Sequence, residues 1–126
     1  MEARVQRRYR LTRSADFKRV RRLGKSYAHP LVVLVTLEND LPVTRIGVSA
    51  GKKVGNAVQR NRAKRLLRAA ISTLLPDLPS GWDLLLIARP PLPATTMQET
   101  RAALRMLLQR AHLLPFSDDT RFSSST

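Results

Sequence analysis

The chain has 126 residues, 43% of them hydrophobic, and Lys plus Arg outnumber Asp plus Glu by 23 to 9, giving a net charge of +14. That length supports one domain, and so large a surplus points to a polyanionic partner, because a compact body carrying it repels itself until counter-charges arrive. The absence of Cys excludes disulfides, thiolate metal sites and Cys nucleophiles. The longest apolar run, residues 31–37, is far short of the roughly 20 residues of a membrane helix, and the charged N-terminus lacks the apolar stretch of a secretory signal. The expectation is a soluble, cytoplasmic protein with no membrane contact.

Residues 1–13 show no periodicity and read as a basic arm that orders on binding. Ser14 reads as a helix N-cap, with Asp16 in the first turn favourable to the helix dipole. Phe17, Val20 and Leu23 recur on one side of a short helix over residues 15–23, and Gly24 suits the position that closes it. Residues 27–30 make a short strand or lead-in, and residues 31–37, apolar and β-branched, a buried strand. Glu38, Asn39, Asp40 and Pro42 form the turn to a second main strand, residues 45–50, expected as hairpin partner of the first. Gly51 and Gly55 bracket Lys52 and Lys53 in what reads as a flexible loop.

Asn56 is the next N-cap, with Gln59 placed for a capping box, and opens a helix running to about residue 75, before Pro76. Residues 82–88 form a third core strand, ended by Pro90 and Pro91. Thr96 and Glu99 make another capping box, and Leu104, Leu107, Leu108 and Ala111 give the apolar stripe of a last helix ending before Pro115. The fold class is α+β in the order α-β-β-β-α-β-α, with three helices over a mixed sheet of about four strands. Residues 14–112 form the domain, and residues 113–126, rich in Ser, Thr and Asp toward the end, a disordered tail.

The charge is not evenly spread. Arg4, Arg7, Arg8, Arg10, Arg13, Lys18, Arg19, Arg21, Arg22 and Lys25 face a single acid, Asp16, within residues 4–25; Lys52, Lys53, Arg60, Arg62, Lys64, Arg65 and Arg68 face none within residues 52–68. Soluble surfaces usually intersperse signs, so clustering marks a binding surface. Arg predominates, and its planar fork of donors matches phosphate oxygens and stacks on bases. On a helical wheel of about 100° per residue, Arg60, Asn61, Arg62, Lys64, Arg65 and Arg68 fall within an arc of about 200°. Ala63, Leu66, Leu67, Ala70, Ile71 and Leu74 fill the other side. No acid lies three or four residues away to relieve the like charges, as a purely structural helix would arrange. Phosphates supply that missing charge and release counterions on binding. Asn61 reads a base edge or sugar hydroxyl, or is a neutral spacer; spacing does not separate these.

The run Gly47-Val48-Ser49-Ala50-Gly51-Lys52-Lys53-Val54-Gly55-Asn56-Ala57-Val58-Gln59-Arg60-Asn61-Arg62-Ala63-Lys64-Arg65-Leu66-Leu67-Arg68 resembles the signature of the protein subunit of bacterial ribonuclease P. Agreement continues through Asp16-Phe17-Lys18-Arg19-Val20, Gly24-Lys25-Ser26 and Ile87-Ala88-Arg89-Pro90, so that it spans residues 9–112. The resemblance implies a cofactor protein of a catalytic RNA whose holoenzyme, an endoribonuclease, removes the 5′ leader of precursor tRNA. Its partners are then ribonuclease P RNA and precursor tRNA, with no obligate protein partner. Hydrolysis belongs to the RNA and Mg²⁺ bound mainly by it, so no catalytic residue and no protein-held metal is expected. Lys52, Lys53, Arg60, Asn61, Arg62, Lys64, Arg65 and Arg68 are the implied RNA contacts.

The resemblance also implies a leader-binding cleft between the sheet and the first helix, with Phe17, Lys18, Arg21 and Tyr27. Phe17 stacks on a base, packs beside Val20, or does both; Tyr27 is an extra stacking group or packs on the domain. Arg21 stands where the family commonly has an aromatic, as do Val32 and Val35 on the first long strand, so charge from Lys18 and Arg21 takes over some of the grip. The family fold carries a left-handed strand–helix–strand crossover, against the general right-hand rule. The rival readings are a general structured-RNA-binding or ribosome-associated protein, and an autonomous nuclease. The nuclease needs converging carboxylates, whereas Asp16, Asp83 and Glu99 read as isolated. His29 and His112 have no metal-ligand spacing.

Overall fold

The computed structural model describes residues 10–116. The chain runs α1 (Ser14–Leu23), β1 (Lys25–Ala28), β2 (Val32–Glu38), β3 (Arg45–Ser49), α2 (Ala57–Leu74), β4 (Trp82–Ala88) and α3 (Met97–Arg110), which is the α-β-β-β-α-β-α order the sequence predicts. Residues 1–9 of the expected arm and 117–126 of the expected tail lie outside the described residues.

The strands form one mixed sheet in the order β1-β2-β4-β3. β2 pairs antiparallel with β1 on one side and with β4 on the other, and β3 pairs parallel with β4. The expected β2–β3 hairpin is therefore absent. β4 inserts between the two, because its Asp83, Leu84, Leu85 and Leu86 are buried on both faces and demand an interior place. The β2–β3 connection is held open for it by Asn39 N donating to Gly81 O at 2.9 Å and Gly81 N donating to Val43 O at 3.3 Å. β2 instead finds its hairpin partner in β1, with His29 N donating to Val32 O at 3.0 Å and His29 Nδ1 accepting from Leu31 N at 3.1 Å.

α2 and α3 cover one face of the sheet, enclosing Leu34, Leu67, Ile71, Leu84, Leu86, Leu104 and Leu107 in the main core. α1 covers part of the other, where Leu11, Val20, Val35 and Leu85 make a second, smaller core. Both outer boundaries extend beyond residues 14–112. Leu11 is buried and its N–H donates to Ile46 O at 2.8 Å, so the end of the arm runs beside β3. At the other end His112 takes a left-handed conformation (φ 62°) and Leu113 N donates to Leu108 O at 2.9 Å, turning Leu113 and Leu114 back into the main core.

Two local readings change for physical reasons. Ser14 lies inside α1 and Arg13 occupies the cap position without a side-chain hydrogen bond. Gly24 does follow α1, but its backbone is extended (φ −78°), not left-handed. Its requirement is space: a Cβ there meets Val20 O at 2.5 Å, Val35 Cγ1 at 2.7 Å and Thr36 O at 2.8 Å. Two of those neighbours are backbone atoms that cannot swing away. Gly24→Ala is expected to destabilise the fold by about 1–3 kcal/mol, the usual range for overpacking, as read from the urea midpoint; an unchanged midpoint would show that α1 shifts freely on the sheet.

Candidate nucleic-acid interface

The basic helix is fixed by its first turn. Asn56 Oδ1 accepts from Gln59 N at 2.9 Å and Gln59 Oε1 accepts from Asn56 N at 2.9 Å, completing the expected capping box. Gly55 precedes it with φ 143°, and the Gln59 side chain fills the space a Cβ would take. The segment before it, read as a flexible loop, is a 3₁₀ turn (Lys52–Val54) pinned by buried Val54, which leaves Lys52 and Lys53 exposed.

Along α2 the buried residues are Ala63, Leu67, Ala70, Ile71 and Leu74, and Leu66 is only half-buried. Asn61, Arg62 and Arg65 are exposed, and Arg60, Lys64 and Arg68 half-buried. The ion pairs that join two described residues link Arg19 or Arg45 to Asp16 or Asp83, and no described carboxylate pairs with Lys52, Lys53, Arg60, Arg62, Lys64 or Arg65. Part of this face also meets the rest of the chain. Arg62 Nε donates to Pro93 O at 2.6 Å, which ties α2 to the turn after β4. Arg60 lies at the border of the core, its Nε buried without a partner among the described residues.

The opposite face of the sheet is only partly covered. Strand register defines rows across it. Val35 and Leu85 lie in a row that runs from Ser26 to Gly47, buried beneath α1. The next row toward the β3 C-terminus is Ala28, Val33, Ile87 and Ser49. Val33, Ile87 and Ser49 are only half-buried, so this row forms an open apolar strip. Phe17 stands at its margin: a Cβ on Gly47 would lie 3.1 Å from Phe17 Cε1 and Cζ. Phe17 thus both packs on the second core and lines a hollow of about 220 Å³ with Arg10, Leu11, Thr12, Ile46, Val48 and Arg68. Lys18 and Arg21 are exposed on α1, and Arg21, one turn after Phe17, shares its flank.

Tyr27 does not join them. It pairs with Leu34 and packs against the main core on the far face, with Lys25 Nζ 5.8 Å from its ring centroid. Strand alternation, applied to the β1–β2 pairing, separates it from Phe17.

Asp83, expected to be isolated, is the centre of a charged cluster on the α1 face. Its side chain is 0% exposed and it accepts from Arg19 and Arg45 at 2.7 and 2.8 Å. Asp16 lies 3.8 Å from Arg19 and 3.9 Å from Arg45. Burial alone would raise the Asp83 carboxyl, but hydrogen bonds from Arg45, Asn39 and Arg19 and the Arg45 charge hold it below the usual carboxylate range. The signal available in the sequence was a lone acid inside an apolar strand, which must be paired if it is buried. Among the described residues no three His, Asp or Glu side chains gather as a metal would need, and the guanidinium groups between Asp16 and Asp83 do not suit a divalent cation. No helix among these residues is long and apolar enough to cross a membrane.

The family model described as Ribonuclease P matches residues 5–112. The ribonuclease P protein component of Dehalococcoides mccartyi is 38% identical over 110 residues, covering 87% of this chain and 90% of that protein. That of Lactiplantibacillus plantarum is 42% identical over 107 residues, covering 84% and 94%. Among solved structures, the Staphylococcus aureus RNase P protein superposes with a TM-score of 0.75 at 33% identity, covering 84% of this chain and 97% of that one. The Thermotoga maritima RNase P protein gives 0.72 at 28% identity, covering 80% and 96%. Sequence, fold and the carboxylate-free basic helix agree, and the chain belongs to the family of bacterial ribonuclease P protein components.

Proposed function

We propose a division of labour between the two faces of the sheet. Family membership makes the chain a partner of ribonuclease P RNA in the endoribonuclease that trims precursor tRNA at its 5′ end. Within that role, Lys52, Lys53, Arg60, Asn61, Arg62, Lys64, Arg65 and Arg68 contact the RNA subunit. The strip of Val33, Ile87 and Ser49, flanked by Phe17, Arg21 and Lys18, takes the single-stranded leader. The observation that carries the first half is the basic face at and before the start of α2, where Lys52, Lys53, Arg60, Arg62, Lys64 and Arg65 have no carboxylate partner among the described residues. Phosphates complete such a face. The second half is supported by an apolar strip with an aromatic at its edge, which suits the flat faces and charged backbone of unpaired nucleotides. Tyr27, on the other side, has no part in it.

Hydrolysis in this reading runs on Mg²⁺ held mainly by the RNA, in the cytoplasm, while the protein binds and orients. The test is to mix protein, catalytic RNA and precursor tRNA at low Mg²⁺ and follow 5′ cleavage. The protein is expected to raise cleavage above RNA alone, and the gain to depend on the leader. Phe17→Ala is expected to remove about tenfold of the leader-dependent affinity, the equivalent of one lost base stack. Similar affinity for any structured RNA, without leader dependence, would instead mark a general RNA-binding protein. Cleavage by protein alone would mark an autonomous nuclease.

A further inference from the structure

α1 rests on the sheet through a small apolar contact, of which only Val20 is fully buried. Its seating is completed by polar contacts on one flank. The Asp83 carboxylate, with no solvent exposure, accepts four hydrogen bonds from three side chains. Arg45 on β3 grips it with both prongs, Nε to Oδ1 at 2.9 Å and NH2 to Oδ2 at 2.8 Å. Asn39 Nδ2 donates to Oδ1 at 2.8 Å. Arg19, from α1, donates to Oδ2 at 2.7 Å. Asp16, also on α1, stands behind both arginines.

Asp16 and Arg19 lie on one flank of α1, and Phe17 and Arg21 on the other. A helix held at one flank has its rotation set at the other. A salt bridge is weak evidence for stability, since an apolar residue of similar volume often serves as well; what a bidentate, fully satisfied pair adds is a defined geometry. We propose that Asp83 is a positioning residue for leader recognition: through Arg19 it locks the rotation of α1, which keeps Phe17 over Gly47 and Arg21 beside the open Val33–Ile87 strip. This rests on the reading that the leader lies in that strip. Asp83 cannot act by touching RNA, because it has no exposed surface.

The test uses holoenzyme reconstituted with wild-type protein, Asp83→Asn, Arg19→Gln, Arg19→Lys, the Asp83→Asn/Arg19→Gln double variant and Phe17→Ala. Two quantities are measured: the affinity for precursor tRNA relative to mature tRNA, and the affinity of the protein for the RNA subunit. Asp83→Asn and Arg19→Gln are each expected to cut the leader-dependent gain about tenfold, since a misplacement of about 1 Å is enough to lose up to about 10²-fold. RNA-subunit affinity should stay within about twofold, because α2 lies on the other face. Arg19→Lys should restore part of the gain, and the double variant should lose no more than either single one. If Asp83→Asn does not fold, Arg19→Gln decides, its side chain being 35% exposed.

An unchanged gain in Arg19→Gln and Asp83→Asn, with Phe17→Ala still defective, overturns the positioning role and leaves the cleft reading standing. Additive losses in the double variant, or equal losses in both affinities, overturn it as well. If Phe17→Ala keeps the full gain, the cleft reading itself falls and this inference falls with it.

Discussion

The triple variant Lys53→Ala, Lys64→Ala, Arg65→Ala is expected to bind the RNA subunit about 10²–10³-fold more weakly at 0.1 M salt. Each lost phosphate contact removes about 0.7–0.9 of a unit from the log–log salt slope, and at 0.1 M the same factor appears in the affinity itself. The slope should therefore flatten by about two to three units. The three side chains are suited to the test because none has a carboxylate partner among the described residues and none belongs to either core. The melting temperature should hardly move, and titrations across several salt concentrations give the slope. A slope equal to that of the wild type would mean that these cations face solvent and not phosphate. Arg62 is a poorer probe: its guanidinium also holds Pro93 O, so its removal mixes docking of the turn with binding.

Asp83→Ala is expected to destabilise the fold by about 3–5 kcal/mol at neutral pH, because it leaves two guanidinium groups facing a partly buried void. In a domain of this size that amounts to a fall in melting temperature of about 10–20 °C. The pH dependence gives the signature. The folded-state carboxyl is held below the ordinary value of about 4. Its stabilising contribution is thus fully present above that value and is lost as pH falls through the depressed folded-state pKa. Wild-type and variant stabilities should converge below about pH 4 and stay far apart at pH 7. Urea unfolding at pH 7 and at pH 3 measures this, and a gap of equal size at both values would mean that the carboxylate charge is not what stabilises the cluster.

Much of this molecule was legible from local pattern. The α2 start was readable because Asn56 and Gln59 each have one conformational use at their spacing, and both serve it. Thr96 and Glu99 do the same for α3. β2 and β4 were plain from their apolar, β-branched or leucine-rich runs. Strand order was not legible, because the partner of β3 arrives almost forty residues later, after a whole helix. That run of buried residues on both faces of β4 was the clue that it takes an interior place. The cluster at Asp83 was hidden for a similar reason: Arg19 and Arg45 approach it from 64 and 38 residues away. The basic face of α2 was visible on a helical wheel, whereas the engagement of Arg62 by Pro93 depends on where the chain returns after β4. By sequence Leu113 and Leu114 read as tail, because the apolar stripe of α3 ends at Ala111; only the left-handed turn at His112 sends them inward.

The hollow beside β3 has a geometric consequence. α1 and α2 sit on opposite sides of one sheet, so a polynucleotide gripped by both must travel roughly 20 Å, about two helix diameters. β3 is the outermost strand of the sheet on that side, and Phe17 and Arg68 line one depression at its margin although they belong to different helices. On the proposed reading, a ribose-phosphate chain rounding that rim would exchange one grip for the other without crossing bare solvent, and the thickness of the sandwich would act as a ruler between the docked ribozyme and the unpaired end of its substrate.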